Sequence, residues 1–277
     1  VPWHLPCSSR GRERAVTLKW VRVDDYQGMC REAAGRMAAI IEQSAADGRS
    51  ALLGLATGNT MIGVYEQLAA RLNTSGCDLS RLHTFNLDEY VGDDGRNVPT
   101  DHPLSYQAYM QRYLFSLLDP KLGMNPAHIH FPDPEDPEAY DRQIDGMGGL
   151  DFQLLGLGFN GHIAFNEPMP EAEISVEAFA ALPSRVIDLT EQTIETNSRL
   201  TAGGDRSQVP RQAVTMGMKP LLAARELLLL TCFPGQKAPL ERIRQGTITP
   251  SLPGSYLLGH ANATIVFAQD PVGLEEE

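Results

Sequence analysis

The chain is short of cations. Its 277 residues carry 23 Lys and Arg against 35 Asp and Glu, a net charge of −12. A surplus of that sign argues against nucleic acid or an anionic membrane as partner, since both select basic surfaces. Cysteine is scarce too: Cys7, Cys30, Cys77 and Cys232 are scattered, with no C-x-x-C and no metal-ligand spacing. That pattern predicts neither a disulfide framework nor a metal centre, and free thiols in a reducing cytoplasm are the expectation. No apolar run approaches the ~20 residues of a membrane-spanning helix. Residues 1–16 have no hydrophobic signal core and carry Arg10, Arg12 and Arg14, so they read as a flexible extension. No Gly-Lys-Ser/Thr follows any glycine-rich turn, which excludes a Walker phosphate loop. There is no internal repeat and no linker that would split the chain. The expectation is one α/β domain over residues 17–268, followed by an acidic, disordered tail over 269–277.

Hydrophobic residues make up 42% of the chain, enough for a large core. Met29, Ala33, Met37, Ile40 and Ile41 recur at helical spacing and predict a helix over 26–46. Residues 51–55 form an apolar strand, 56–60 a turn and 61–72 a helix. Strand, glycine turn and helix in that order aim backbone N–H groups at an anion. Thr57, Gly58, Asn59 and Thr60 are therefore candidate phosphate ligands. The alternative is a plain βα turn with Thr60 as N-cap. Asp88 and Glu89 follow a short strand, 83–86. Neighbours in extended chain point to opposite faces, so one of the two carboxylates is expected to enter a site. A helix is predicted over 104–118, starting after Pro103. His128 and His130 share a face of a short strand, but no third ligand stands at metal spacing. Residues 169–182 read as either a short helix or a flap. Lys237 opens a helix, an unfavourable place for a cation unless it serves an anion.

The stretch LLGLGFNGHIAFNEP, residues 154–168, is the most informative. An apolar strand runs into Gly158 and Gly161 and then presents His162 and Glu167, with Asn160 just before. Open α/β sheets bind ligands beyond the carboxyl ends of their strands. The residues alone leave two readings, an acid/base pair or a histidine and a glutamate in structural hydrogen bonds.

The full string GLGFNGHIAFNEP resembles the signature of the glucosamine-6-phosphate deaminase (isomerase) family, G-(I/V)-G-x-(D/N)-G-H-I-(A/G)-F-N-E-P. GLATGNT (54–60), FNLDEYVG (85–92), HPLSYQAYM (102–110) and VPRQAVTMG (209–217) match the same family in the same order. Asn197-Ser198-Arg199 and Gly235-Gln236-Lys237 fit as well. The resemblance covers residues 17–268. It implies a single-domain α/β fold of modified doubly wound, Rossmann-like type, with a mostly parallel sheet and helices on both faces. It also implies conversion of glucosamine 6-phosphate and water to fructose 6-phosphate and ammonia, with no cofactor and no metal, in a homo-oligomer. By the match, His162 opens the sugar ring, Glu167 orients it, and Asp88 moves the proton between C2 and C1. Thr57 to Thr60, Arg199 and Lys237 would hold the phosphate and supply the local cations that a net charge of −12 otherwise lacks.

Two departures stand out. Many members carry Asp at the position of Asn160, and an amide cannot stabilise an imidazolium as a carboxylate does. Residues 169–182 are acidic where allosterically activated relatives are basic, and only Arg185 is basic nearby, so a non-allosteric enzyme is expected. The related 6-phosphogluconolactonases run Asp-Gly-His-Thr-Ala-Ser at this segment and lack Phe-Asn-Glu-Pro. A sugar-phosphate-sensing regulator on the same scaffold would need a basic DNA-binding segment that this chain does not show. Galactosamine 6-phosphate, which differs at C4, stays open as a substrate.

Overall fold

In the computed structural model, which describes residues 18–274, ten strands form two sheets. In chain order the elements are β1 (Lys19–Val23), α1 (Tyr26–Ala46), β2 (Ala51–Leu55), α2 (Ile62–Ser75), β3 (Leu82–Asn86), β4 (Asp88–Val91) and α3 (Tyr106–Tyr113). Next come β5 (Ile129–His130), α4 (Pro137–Gly146), β6 (Phe152–Gly156), α5 (Val176–Ala180), β7 (Arg185–Asp188) and α6 (Glu191–Thr201). The last are β8 (Gln212–Thr215), α7 (Met218–Leu222), β9 (Leu227–Thr231), α8 (Lys237–Arg244), β10 (Ala263–Ala268) and α9 (Gln269–Val272).

The main sheet has the order β1-β10-β9-β6-β2-β3-β5, and every pairing in it is parallel. All residues of β2, β9 and β10 are buried. Continuous apolar strands are what a sheet covered on both faces requires. From β2 the chain winds outward to β3 and β5; from β6 it winds the other way to β9 and β10. The tips of β2 and β6 therefore meet at a topological switch point, where such sheets open a crevice. A second, antiparallel sheet, β4-β8-β7, stands beside that crevice. Its own small core gathers Tyr90, Phe165, Ile194 and Ala213.

Several boundaries differ from the sequence reading. The helix expected over 104–118 starts later and ends earlier. Ser105 is its N-cap, accepting from the Ala108 amide, and a 3₁₀ turn over Phe115–Leu117 replaces its last turn. Thr60 does not cap α2; Met61 does, with no side-chain hydrogen bond. Of the two readings of 169–182, the short helix forms: α5 buries Phe179, and the Met169 amide donates to the Pro250 carbonyl. Residues 269–274, expected in the tail, instead make α9 and bury Val272 and Leu274, because these apolar side chains reach the core. The extension 1–16, Cys7 and residues 275–277 lie outside the described residues. Cys30, Cys77 and Cys232 are free thiols. Among the described residues no helix is long and apolar enough to cross a membrane, and no cluster of His, Cys, Asp or Glu could hold a metal.

Candidate active site

A cleft of roughly 500 Å³ opens at the switch point, a volume suited to a small ligand. Thr57, Gly58, Asn59 and Thr60 line it from the tip of β2, and Asp88 from the start of β4. Gly158, Asn160 and His162 line it from the loop after β6, and Thr193 and Asn197 from α6.

The loop after β2 turns at Gly58, whose φ of 105° is open to glycine and costly for other residues. Tyr109 on α3 donates its hydroxyl to the Gly58 carbonyl at 2.7 Å, so the loop is pinned from across the cleft. Asn59 donates to the Leu200 carbonyl on α6 at 3.4 Å, tying the loop to a second wall.

In the loop after β6, His162 Nδ1 stands 3.4 Å from Glu167 Oε2. The same oxygen accepts from Asn160 Nδ2 at 2.7 Å, and the Asn160 carbonyl oxygen accepts from the His162 amide at 3.1 Å. Thr193 donates to the other oxygen of Glu167 in a short hydrogen bond. Burial pushes the Glu167 carboxyl up, but the His162 imidazole 3.4 Å away and hydrogen bonds from Thr193 and Asn160 outweigh it. The carboxyl is held down at about 2. Ala164 sits at φ 51°, in the left-handed region. Bulky and β-branched side chains are disfavoured on that backbone.

Asp88 and Glu89 go opposite ways, as strand alternation predicts. Asp88 lines the cleft and is 6% exposed. Burial, then the neighbouring Glu89, pushes its carboxyl well above the usual carboxylate range. Glu89 does not line the cleft. Its oxygens accept from the amides of Tyr90, Tyr106 and Gln107, each at 2.9 Å, and from the Ser105 hydroxyl at 3.2 Å.

Arg199 and Lys237 are not among the lining residues. Arg199 is 66% exposed and lies 3.8 Å from Glu195, one turn back on α6. Lys237 opens α8 and lies 3.8 Å from Glu241, one turn on. Each has a glutamate at helical spacing, and that local pairing draws it along its own helix. Their neighbours do reach the cleft: Asn197, Leu200 and Gln236 line it. Gln236 also clamps two strand tips, accepting from the Cys232 and Phe233 amides and donating to the Leu157 carbonyl at 2.7 Å.

Sequence reasoning missed Tyr109, Thr193, Gln236 and Arg112, which also lines the cleft. Thr193 had a legible signal: Thr190 caps α6 by accepting from the Thr193 amide, so a Thr-x-x-Thr pair marks the helix start.

The fold places the chain in a class that holds glucosamine-6-phosphate isomerases and 6-phosphogluconolactonases. The model of that family matches residues 24–172. Glucosamine-6-phosphate deaminase 2 of Bacillus subtilis is 35% identical over 256 residues, covering 90% of this chain and 94% of its own length. Glucosamine-6-phosphate deaminase of Rhodopirellula baltica is 37% identical over 248 residues, covering 87% and 91%. A solved monomeric glucosamine-6-phosphate deaminase superposes with a TM-score of 0.80 at 30% identity, over 93% of this chain and all 100% of that one. A 6-phosphogluconolactonase of Thermotoga maritima shares the fold at 20% identity, with a TM-score of 0.66 over 91% of this chain and 99% of its own. The chain belongs to the glucosamine-6-phosphate deaminase family.

Proposed function

We propose that this enzyme converts glucosamine 6-phosphate and water to fructose 6-phosphate and ammonia. One observation carries the reading: Asp88 and His162 line a single cleft with Thr57, Gly58, Asn59 and Thr60, and Glu167 stands behind the imidazole, 3.4 Å from its Nδ1. Phosphate rests against the loop after β2, which offers the hydroxyls of Thr57 and Thr60 and the amide of Asn59. Arg199 and Lys237, at the ends of two cleft-bordering helices, swing from their glutamates to the phosphate. The sugar ring then spans toward the tip of β6.

His162 exchanges protons with the ring oxygen and the C1 hydroxyl, opening the pyranose to the aldehyde. Glu167, ionised and held by Asn160 and Thr193, fixes the imidazole and balances its charge. Asp88 takes the proton from C2 and returns it to C1, while the C1 oxygen gains a proton that the 2-ammonium gives up, leaving a protonated imine at C2. Water adds to that imine and ammonia leaves, giving the ketose. Burial of Asp88 raises its proton affinity, the direction that abstraction from carbon needs.

Amino sugar breakdown in the cytoplasm is the setting that fits. Incubation with glucosamine 6-phosphate should release ammonia and form fructose 6-phosphate in equal amounts, and rates on the C4 epimer measured beside it decide the preference. Failure to release ammonia from either epimer refutes the reading.

A further inference from the structure

We infer that Arg112 is a further phosphate-binding residue of this site, reaching the anion from α3 in addition to the cations of α6 and α8. The inference rests on the functional reading above for the identity of the anion. Ser105, Ala108, Tyr109 and Arg112 follow the i, i+3, i+4, i+7 spacing of one helix face, and all four line the cleft. Tyr109 fixes where that face points, because its hydroxyl meets the Gly58 carbonyl at 2.7 Å. Arg112 stands three residues further along the same stripe and lines the same cleft as Thr57, Gly58 and Asn59.

Charge singles it out. Of the lysines and arginines among the described residues, Arg112 alone lines this cleft. Arg199 and Lys237 lie beside Glu195 and Glu241, whereas the contact recorded for the Arg112 guanidinium is the ring of Tyr113, 5.9 Å away. A planar guanidinium can take two phosphate oxygens at once. In a chain of net charge −12, a cation at the cleft wall offsets a field that repels the substrate.

The bland role for Arg112 is to balance the C-terminal end of the α3 dipole, since it sits in the last turn. Substitution separates the two. In R112Q, inorganic phosphate measured by calorimetry should bind at least about tenfold more weakly, as loss of a charge-assisted contact implies. The KM for glucosamine 6-phosphate should rise by a similar factor while kcat changes less than about threefold. R112K, keeping the charge without the fork, should recover part of both losses. The inference is overturned if R112Q binds phosphate as the wild type does, or lowers only Tm. It is overturned equally if the wild type binds no phosphate. Calorimetry needs no turnover, so a wild type that binds phosphate through Arg112 yet releases no ammonia would sink the proposed reaction and leave this inference standing.

Discussion

Gly158 offers a sharp test of whether His162 is the working histidine, because the two are in contact in a way that no other substitution probes. A Cβ placed on Gly158 would stand 2.5 Å from His162 Nε2 and 2.6 Å from Nδ1, whereas ordinary contact begins near 3.4 Å. The φ of Gly158 is not in the left-handed region, so alanine is acceptable to the backbone and the clash falls on the ring alone. The imidazole must retreat by about 1 Å, a displacement that costs on the order of a hundredfold when it falls on a catalytic group. Its 3.4 Å approach to Glu167 is broken at the same time.

G158A is therefore expected to lose at least about a hundredfold in kcat/KM, roughly 2.7 kcal/mol of transition-state stabilisation. Most of the loss should fall in kcat, because the phosphate loop at Thr57 to Thr60 is untouched. Thermal unfolding should move by no more than a few degrees, since an imidazole that rims the cleft can turn into it without opening the core. The assay is ammonia release across substrate concentrations, with Tm measured on the same preparation. A G158A enzyme with wild-type kcat would show that the position of His162 does not matter to turnover, and the proposed ring-opening step would have to be abandoned.

Three further predictions follow from the electrostatics. D88N should cut kcat by about 10² to 10⁴-fold, the usual worth of a general base. Because burial raises the folded carboxyl of Asp88, its ionised form costs stability once pH passes the unfolded value. The Tm of D88N should thus exceed the wild type at pH 7 and match it near pH 3, and equal Tm values at both would contradict the assignment. Glu167 has the opposite sign. Its carboxyl falls from 4.5 to about 2, so its stabilisation, on the order of 3 kcal/mol, is complete above about pH 4.5 and lost only as pH falls toward 2. E167Q should therefore be less stable than wild type at pH 5, by a margin that closes as pH falls toward 2, and equal stability at pH 5 would be inconsistent. N160D replaces a 2.7 Å amide donor to Glu167 with a second carboxylate. Coulomb repulsion at that separation is on the order of several kcal/mol even at an effective dielectric of 20, so the pair must hold a proton to higher pH. The acid limb of kcat/KM should move up by at least about one pH unit; an unmoved limb would refute the argument.

The parts of this protein that could be read in advance are those in which pattern and physics coincide. The apolar runs of β2 and β9 and the helical spacing of α1 are set by burial, and burial leaves a direct trace in composition. The loop GLGFNGHIAFNEP was legible because its constraints are steric: Gly161 at φ 91° and Ala164 at φ 51° restrict what can stand there. What could not be read depends on partners distant in the chain. Tyr109 is an unremarked aromatic on a helix until its hydroxyl is found on Gly58, 51 positions away. The pairing of Arg199 and Lys237 with glutamates one turn off was visible as spacing, yet their expected role drew attention to the cleft instead. The start of α3 was misplaced because its first turn is held from outside, by a carboxylate 16 to 18 positions earlier.

That carboxylate, Glu89, gives the adjacent pair Asp88-Glu89 its logic. An acidic dipeptide at a strand tip would be unstable with both groups buried in one pocket, since like charges raise each other's proton affinity. Strand alternation separates them. Asp88 faces the cleft, while Glu89 accepts from the Tyr90 amide beside it and from two amides and a hydroxyl at the start of α3. The second group thereby fixes the helix that carries Tyr109 and Arg112 to the phosphate loop. Four donors on one carboxylate also hold its charge away from Asp88, at the distance that the backbone sets. In the proposed reaction Asp88 is the base and Glu89 holds the wall opposite it, so the short sequence DEY would couple the base to the far side of its own cleft. E89Q tests that coupling. The amide it introduces must turn one N–H toward the backbone amides of Tyr106 and Gln107, leaving a buried donor facing donors at a cost of about 1 to 3 kcal/mol. The substitution should lower Tm and raise KM together while Asp88 stays in place. A variant that kept both values would show that α3 is anchored by something other than Glu89.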